Sequence, residues 1–516
     1  MLFQKHRKRR LIYNDDAYQQ TDQRVSLRTR LPPRKPWYNI TDEQSFVDAR
    51  TTPTFGTYVD TYVWCVGNGC EPPWGAWGQK YRGPVWPVLR SSTRATNLIV
   101  DACHTEGMEI WGSLRMNDLH DAGCDLEETN DPLKGQHPEY LIGKSEDLEL
   151  PQERIERSLV TAFNFERPEV RQYRLDFINQ NAAVHDFDGY ELDFTRFIWN
   201  FPLGKERELA PLMTDFVRDV RSGLSTIGNK RGRPYTLVVH VMDSVETSLG
   251  LGYDVDTWLS EGLVDVLVVG LGYMPFTLDL ESWQALGERY GVPIYPSLNP
   301  RKPFHEMIGR VSASHEYIRA AAAWWWQNDV DGIYLFNLFT QEDVWGLDKE
   351  DTYAPLRDIG DLTSLAGKDK LYGIDAGGRG FDQGSEVATL PIPLDTFERR
   401  LPLNMGLDAE DSNARFKIQA WTSGGTPDMD VWMRLNHTLL EPDWQDGRLT
   451  VVVPVGVMRV GRNDLTVWCG SELDKTDSPI VVRDVWISVD YGTNRVGSRG
   501  GAEVLDGLQV GLSRDD

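Results

Sequence analysis

The chain has 516 residues and a formal net charge of −24, with 54 Lys and Arg against 78 Asp and Glu. That length leads us to expect two or three domains with sizeable cores, and the acidic balance argues against nucleic acid or an anionic membrane surface as a main partner. Hydrophobic residues at 40% and aromatics at 11% are those of an ordinary globular chain, and no apolar run is long enough for a membrane span, so membrane insertion is not expected.

The opening MLFQKHRKRRLIYNDD is basic, but no apolar segment follows it, so it does not read as a secretory signal. The five cysteines make no metal-ligand cluster. Cys65 and Cys70 bracket a Gly-rich loop and could bridge, but the odd count favours free thiols and a reducing compartment. A cytoplasmic location is expected for the chain as written, and a periplasmic or secreted one if a signal has been removed. No metal and no cofactor are expected. The 18 Trp are many for the length. Most should fill cores, and the remainder offer faces on which sugar rings stack.

In chain order, β-type segments are expected at 10–14, 57–66, 109–117, 189–197, 235–241, 264–271, 293–298 and 332–339. Amphipathic, helix-compatible stretches fall between them at 93–106, 168–185, 209–225, 255–261, 280–290 and 315–327. Eight alternations of this kind predict an α/β fold, a (β/α)8 TIM barrel over residues 1–345. The run VDVLVVGL at 264–271 is nearly all apolar, as a strand covered on both faces must be. Long connections follow three strands, at 67–92 (with Trp74, Trp77 and Trp86), 119–153 and 199–208. They should gather at the carboxyl-terminal face, where barrel sites are built. Residues 346–373 read as a linker, and 374–516 as a smaller all-β sandwich with strands near 386–394, 414–421, 429–435, 448–453, 464–469 and 480–490. Such a sandwich could bind carbohydrate or be structural, and the structural role is favoured.

The most informative stretch is DFDGYELDFTRF at 186–197. Glu191 and Asp193 stand two apart on a strand, so both side chains leave one face. Two carboxylates in a dry core are costly unless paired. They could form a buried ion network with Arg115 and Arg196, but at a barrel mouth such a pair is material for acid–base or nucleophilic catalysis. Other strand ends converge on the same pocket. Asp118, Arg115, Asn117 and His120 come from SLRMNDLHD, and Trp64, His240, Asp243, Tyr273, Asn299 and Asn337 come from other strands, with Asn14 at the end of the first. Apart from Asp118 and Asp243, these and Arg196 are expected to bind substrate, since a polyhydroxylated ligand needs many donors and acceptors. The cationic members could also meet an acidic or sulfated glycan. Competing chemistries lack their signatures: there is no HExxH, no GxSxG elbow and no GxxxxGK[ST].

FDGYELDF, the upstream PEVRQY helix, RLIYNDD, VDTYVWC, SLRMNDLHD, LGLGYDVDTWLSEGLVDVLVVG and DGIYLFNLF together resemble bacterial glycoside hydrolases of the glycosyl hydrolase-like 10 group. They are closer still to barrel relatives common in planctomycetes. The resemblance covers most of the first 345 residues and specifies fold and clan better than substrate. It implies a (β/α)8 barrel with Asp193 as a principal catalytic carboxylate at the fourth strand end. Those relatives often carry Arg where this chain has His240. FDGYELDFT is also superficially similar to the chitinase strand DGxDxDxE, but Thr195 replaces the required terminal Glu, so that mechanism fails at its general acid.

The expected function is therefore a glycoside hydrolase acting on a polysaccharide or oligosaccharide. Asp193 would be nucleophile or general base, and Glu191 would orient Asp193 or a bound hydroxyl. Asp118 is the first choice for the partner acid and Asp243 the second. A non-catalytic carbohydrate-binding barrel and a polysaccharide lyase are the alternatives.

Overall fold

The computed structural model describes residues 7–15, 42–66, 92–119, 121–122, 131–151, 154–272, 275–299, 314–336, 338, 353–374, 390–425, 430–445, 447–470 and 479–492. Most of the expected Trp-rich connection after the second strand lies outside these residues, as do His120, Tyr273 and Asn337.

The eight expected strands form a closed parallel barrel in chain order. They are β1 (Leu11–Asp15), β2 (Val59–Cys65), β3 (Glu109–Arg115), β4 (Gly189–Asp193), β5 (Thr236–Val241), β6 (Val266–Val269), β7 (Ile294–Leu298) and β8 (Ile333–Leu335). Closure is made by β1 against β8, with Leu11 opposite Ile333 and Tyr13 opposite Leu335. Alternation sorts each strand into two faces. Ile12, Val63, Trp111, Val238, Val266, Val268, Tyr295, Tyr334 and Phe336 fill the interior as a cluster of their own. The outward faces join the larger core beneath the helices, where Trp258, Trp283 and Trp325 are fully buried.

The amino-terminal end of the barrel is sealed by chemistry rather than by apolar bulk. The Arg9 guanidinium lies 2.6 Å from the Glu109 carboxylate, both side chains are buried, and the Thr61 hydroxyl donates to Glu109 at 2.8 Å. Hydrogen-bonded pairing of this kind is what makes a buried charge tolerable. The helices are bounded by ordinary caps. Helix Leu280–Tyr290, for example, starts at an Asp279 side chain that accepts from Ser282 N and stops at Gly291 in the left-handed conformation. Among the described residues no helix is long and apolar enough to cross a membrane.

The rest of the described chain forms two antiparallel sheets. One contains β9 (Lys370–Ile374), β10 (Ile392–Pro393), β12 (Arg415–Ser423), β15 (Asp443–Gln445), β16 (Arg448–Val452) and β18 (Val481–Asp490). The other has the order β11 (Arg399–Met405), β17 (Gly461–Cys469), β13 (Val431–Leu435), β14 (Thr438–Leu440). Strand β11 contains Pro402 and pairs only with β17, the edge position that a residue without an amide hydrogen requires. Strand β9 begins inside the stretch expected as linker, ends one residue past it, and pairs with β18. The sandwich is seated on the barrel helix His315–Gln327. Tyr317 packs edge-on against Trp486 of β18 with 5.9 Å between ring centroids, and Phe276 contacts Tyr372 of β9 at 5.8 Å. The Asn404 amide donates to the Phe276 carbonyl at 2.7 Å.

Candidate active site

On β4 the sequence GYELD sends Gly189, Glu191 and Asp193 toward the barrel axis, while Tyr190 and Leu192 join the core beneath the helices. The register places Ser113, Glu191 and Val238 at one level, and Arg115, Asp193 and His240 at the next, toward the carboxyl-terminal mouth. Gly189 is required below them, because a Cβ there would lie 2.6 Å from the Trp111 ring.

Asp193 is clamped through one oxygen. Its Oδ1 accepts from Thr195 N at 2.9 Å, from the Thr195 hydroxyl at 2.7 Å and from Arg196 N at 3.1 Å. Its Oδ2 has no hydrogen-bond partner among the described residues. The turn that supplies these donors continues into Phe197 at φ 72°, a conformation seldom taken by a bulky residue and a mark of functional sites.

His240 stands beside this clamp. Its Nδ1 is 3.9 Å from Asp193 Oδ1 and 3.4 Å from the Thr195 hydroxyl, and its Nε2 is 2.8 Å from the Gly270 carbonyl. A carbonyl only accepts, so Nε2 carries the proton and the neutral ring turns a bare Nδ1 toward Thr195 and Asp193. Burial pushes the imidazole below its usual pKa, although Asp193 and the Gly270 contact pull it back. The ring rests against Tyr334 at 5.0 Å and meets Phe336 edge-on at 5.5 Å.

Glu191, one level deeper, is fully buried, and its carboxyl is pushed up to about 8, by burial first and then by the charge of Asp193. The Ser113 and Tyr334 hydroxyls pull in the opposite direction, yet neither closes a hydrogen bond of ordinary geometry with it. Near neutral pH this carboxyl therefore holds its proton. The Tyr334 phenol is pushed well above its ordinary range, by burial and then by the charges of Glu191 and Asp193, and stays a donor. Both Glu191 oxygens, Asn14 Oδ1, Ser297 Oγ and Tyr334 Oη are buried with no partner among the described residues. Left dry, each such atom costs roughly 1–3 kcal/mol.

The other expected residues divide. Arg115 reaches Asp118 at 3.2 Å, and Asp118 is fully buried with its carbonyl accepting from Lys134 Nζ at 2.7 Å. Lys134 also pairs with Asp121 at 3.0 Å, so Asp118 belongs to a charge-balanced shelf. Asn117 donates to the Phe163 and Trp199 carbonyls at 2.9 and 2.7 Å and accepts from Phe163 N at 2.9 Å. Its amide is occupied in tying two loops together rather than in facing a ligand. Trp64 stands on the outer face of β2, donates to Thr96 at 3.1 Å and packs against Phe46, so it fills space under the helices and does not join the cluster. Arg196 enters through its backbone amide, while its guanidinium lies 5.7 Å from the Phe197 ring. Asn299 is buried just beyond β7. Asp243 Oδ1 accepts from Leu271 N at 3.0 Å, its Oδ2 has no partner among the described residues, and burial pushes the carboxyl up to about 6. Sequence reasoning missed Tyr334, Ser297, Ser113 and the clamping role of Thr195. Period-two counting along β8 and β7 would have found the first two.

Fold and site together define a (β/α)8 barrel protein with an appended sandwich and an acidic pair inside the carboxyl-terminal mouth. No known family profile matches the chain, and no curated protein matches it. Among solved structures it is similar to an α-amylase from Geobacillus thermoleovorans (13% identity, TM-score 0.39, 90% of this chain and 99% of the other). It is also similar to α-L-fucosidase isoenzyme 2 from Paenibacillus thiaminolyticus (13% identity, TM-score 0.40, 70% and 49%). An α-galactosidase from Geobacillus stearothermophilus is a third (11% identity, TM-score 0.37, 95% and 56%). The chain spans about half the length of the last two. Likeness at this level carries no argument about activity.

Proposed function

We propose that this protein is a glycoside hydrolase acting on an oligosaccharide or polysaccharide. The observation that carries the reading is the pair on β4: Asp193, held through Oδ1 with Oδ2 unpartnered among the described residues, and the fully buried Glu191 on the same strand face, one level deeper. Paired carboxyl groups in environments that separate their protonation states are what hydrolysis of a glycosidic bond needs. In this reading Asp193 attacks the anomeric carbon or activates water, and Glu191 donates a hydrogen bond to a substrate hydroxyl. Asp118, the first choice for leaving-group acid, is committed to Arg115. Asp243 is the better assignment, because its carboxyl is pushed up to about 6 and one oxygen has no partner among the described residues.

The pairing of Asp118 and the full burial of Glu191 favour one second reading, a carbohydrate-binding barrel without turnover. A reducing-end assay of wild type and Asp193→Asn on neutral, uronic and sulfated polysaccharides separates the two. Release by wild type and none by the variant supports the hydrolase. Glycan binding without release by either protein leaves the binding barrel.

A further inference from the structure

Four strands each carry a buried polar group inside the barrel whose oxygen has no partner among the described residues: Asn14 from β1, Glu191 from β4, Ser297 from β7 and Tyr334 from β8. Tyr334 is near enough to Glu191, Asp193 and Asn14 to be influenced by each, and Ser297 is its register neighbour across β7 and β8. The rest of the interior around them is apolar, with Ile12 opposite Tyr334, Val63 opposite Asn14 and Val238 opposite Glu191. The unpartnered oxygens therefore gather around Tyr334, in reach of the clamped carboxylate's charge, where a bound molecule would present its own polar atoms.

We propose that Asn14, Glu191, Ser297 and Tyr334 form a floor that recognises the hydroxyl groups of a neutral sugar ring, seated with its reacting carbon at Asp193. This assignment rests on the reading of Asp193 as the acting group and names its substrate class. The chemistry matches group by group. Sugar hydroxyls donate and accept together; Tyr334, Ser297 and the protonated Glu191 supply O–H donors, and Asn14 Oδ1 and the carbonyl oxygen of the Glu191 carboxyl supply acceptors. A uronate or sulfate would bring a second anion beside Asp193. By strand register the neighbouring cation is Arg115, and it is ion-paired with Asp118. A neutral ring thus replaces the acidic glycan that the scattered cations suggested.

The test uses the full chain, with saturation-transfer NMR titrations of glucose, galactose and mannose against glucuronate and galacturonate at matched ionic strength. Tyr334→Phe is titrated alongside, since it removes one oxygen and keeps the ring against His240. The expected result is binding of a neutral hexose, uronates at least about tenfold weaker, and a roughly tenfold loss in Tyr334→Phe without a lower melting temperature. Uronates binding as well as the hexoses, an unchanged Tyr334→Phe, or no hexose binding would each overturn it. Failures of the two readings differ. Hexose binding without hydrolysis of any glycan removes the hydrolase and keeps the floor. Hydrolysis with kcat and KM unchanged in Tyr334→Phe keeps the hydrolase and removes the floor.

Discussion

His240 faces Asp193 through the Thr195 hydroxyl, which lies 2.7 Å from the carboxylate and 3.4 Å from the imidazole Nδ1. Because Nε2 is spent on Gly270, only Nδ1 is left to take a proton, and burial resists that protonation. The unfolded chain binds this proton near pH 6.5, whereas the folded chain does so only at lower pH. Stability is therefore lost as pH falls below about 6.5 and levels off beneath the folded value. Urea denaturation at pH 7 and pH 5 should show a smaller acid loss in His240→Gln than in wild type. An equal loss in both would mean that the imidazole does not stay neutral in the fold.

Glu191 has the opposite sign. Its folded pKa, raised to about 8, lies above the unfolded value, so stability is complete below about pH 4.5 and is lost as pH rises toward 8. Glu191→Gln keeps the shape and removes the titration. It should raise the melting temperature at pH 8 by an amount equivalent to a few kcal/mol and change it little at pH 4.5. A variant no more stable than wild type at pH 8 would show that Glu191 is ionised in place. Glycan turnover measured on the same protein reports whether the carboxyl is also needed for chemistry.

How much of this could be read beforehand follows from what each feature depends on. Barrel strands are local objects with apolar, β-branched sequence, and VDVLVVGL could hardly be anything but a doubly covered strand. Glu191 and Asp193 were visible for the same reason, since period two fixes a common face. Trp64 was misplaced by ignoring that rule: Val63 lies in the interior cluster, so its neighbour must face the helices. The roles of Asn117 and Asp118 were not readable, because their partners Phe163, Trp199 and Lys134 arrive from distant loops. In the sandwich, β11 was hidden by Pro402 and two arginines, which an edge strand tolerates and a pattern search does not.

Asn117 predicts a coupling between loops. Replacing it with Ala leaves the Phe163 amide and carbonyl and the Trp199 carbonyl without the partner they now share. We expect a loss of about 3 kcal/mol in unfolding free energy, with both loops more open to limited proteolysis. Asn117→Asp should recover only part of it, because a carboxylate accepts from Phe163 N but donates to neither carbonyl. Wild-type stability and protease resistance in the alanine variant would return Asn117 to the list of ligand-facing residues.

Gly332 tests whether the seam between β8 and β1 holds the site in place. A Cβ there would lie 2.0 Å from the Arg9 carbonyl oxygen and 2.6 Å from the Tyr295 ring. Arg9 is itself fixed by Glu109 at 2.6 Å, so the backbone cannot simply withdraw. Gly332→Ala should therefore cost more than about 4 kcal/mol or prevent folding, the range reserved for overpacking and broken buried networks. Gly291→Ala is the comparison. That glycine has φ 65° with nothing within 4 Å of the added carbon, so only the left-handed strain of about 1 kcal/mol is expected. Because Tyr334 lies two residues beyond Gly332, any soluble Gly332→Ala protein should also lose glycan affinity, whereas Gly291→Ala should keep it. Equal melting temperatures for the two variants would show that β8 can shift without opening the barrel, and that the position of Tyr334 is not set by this seam.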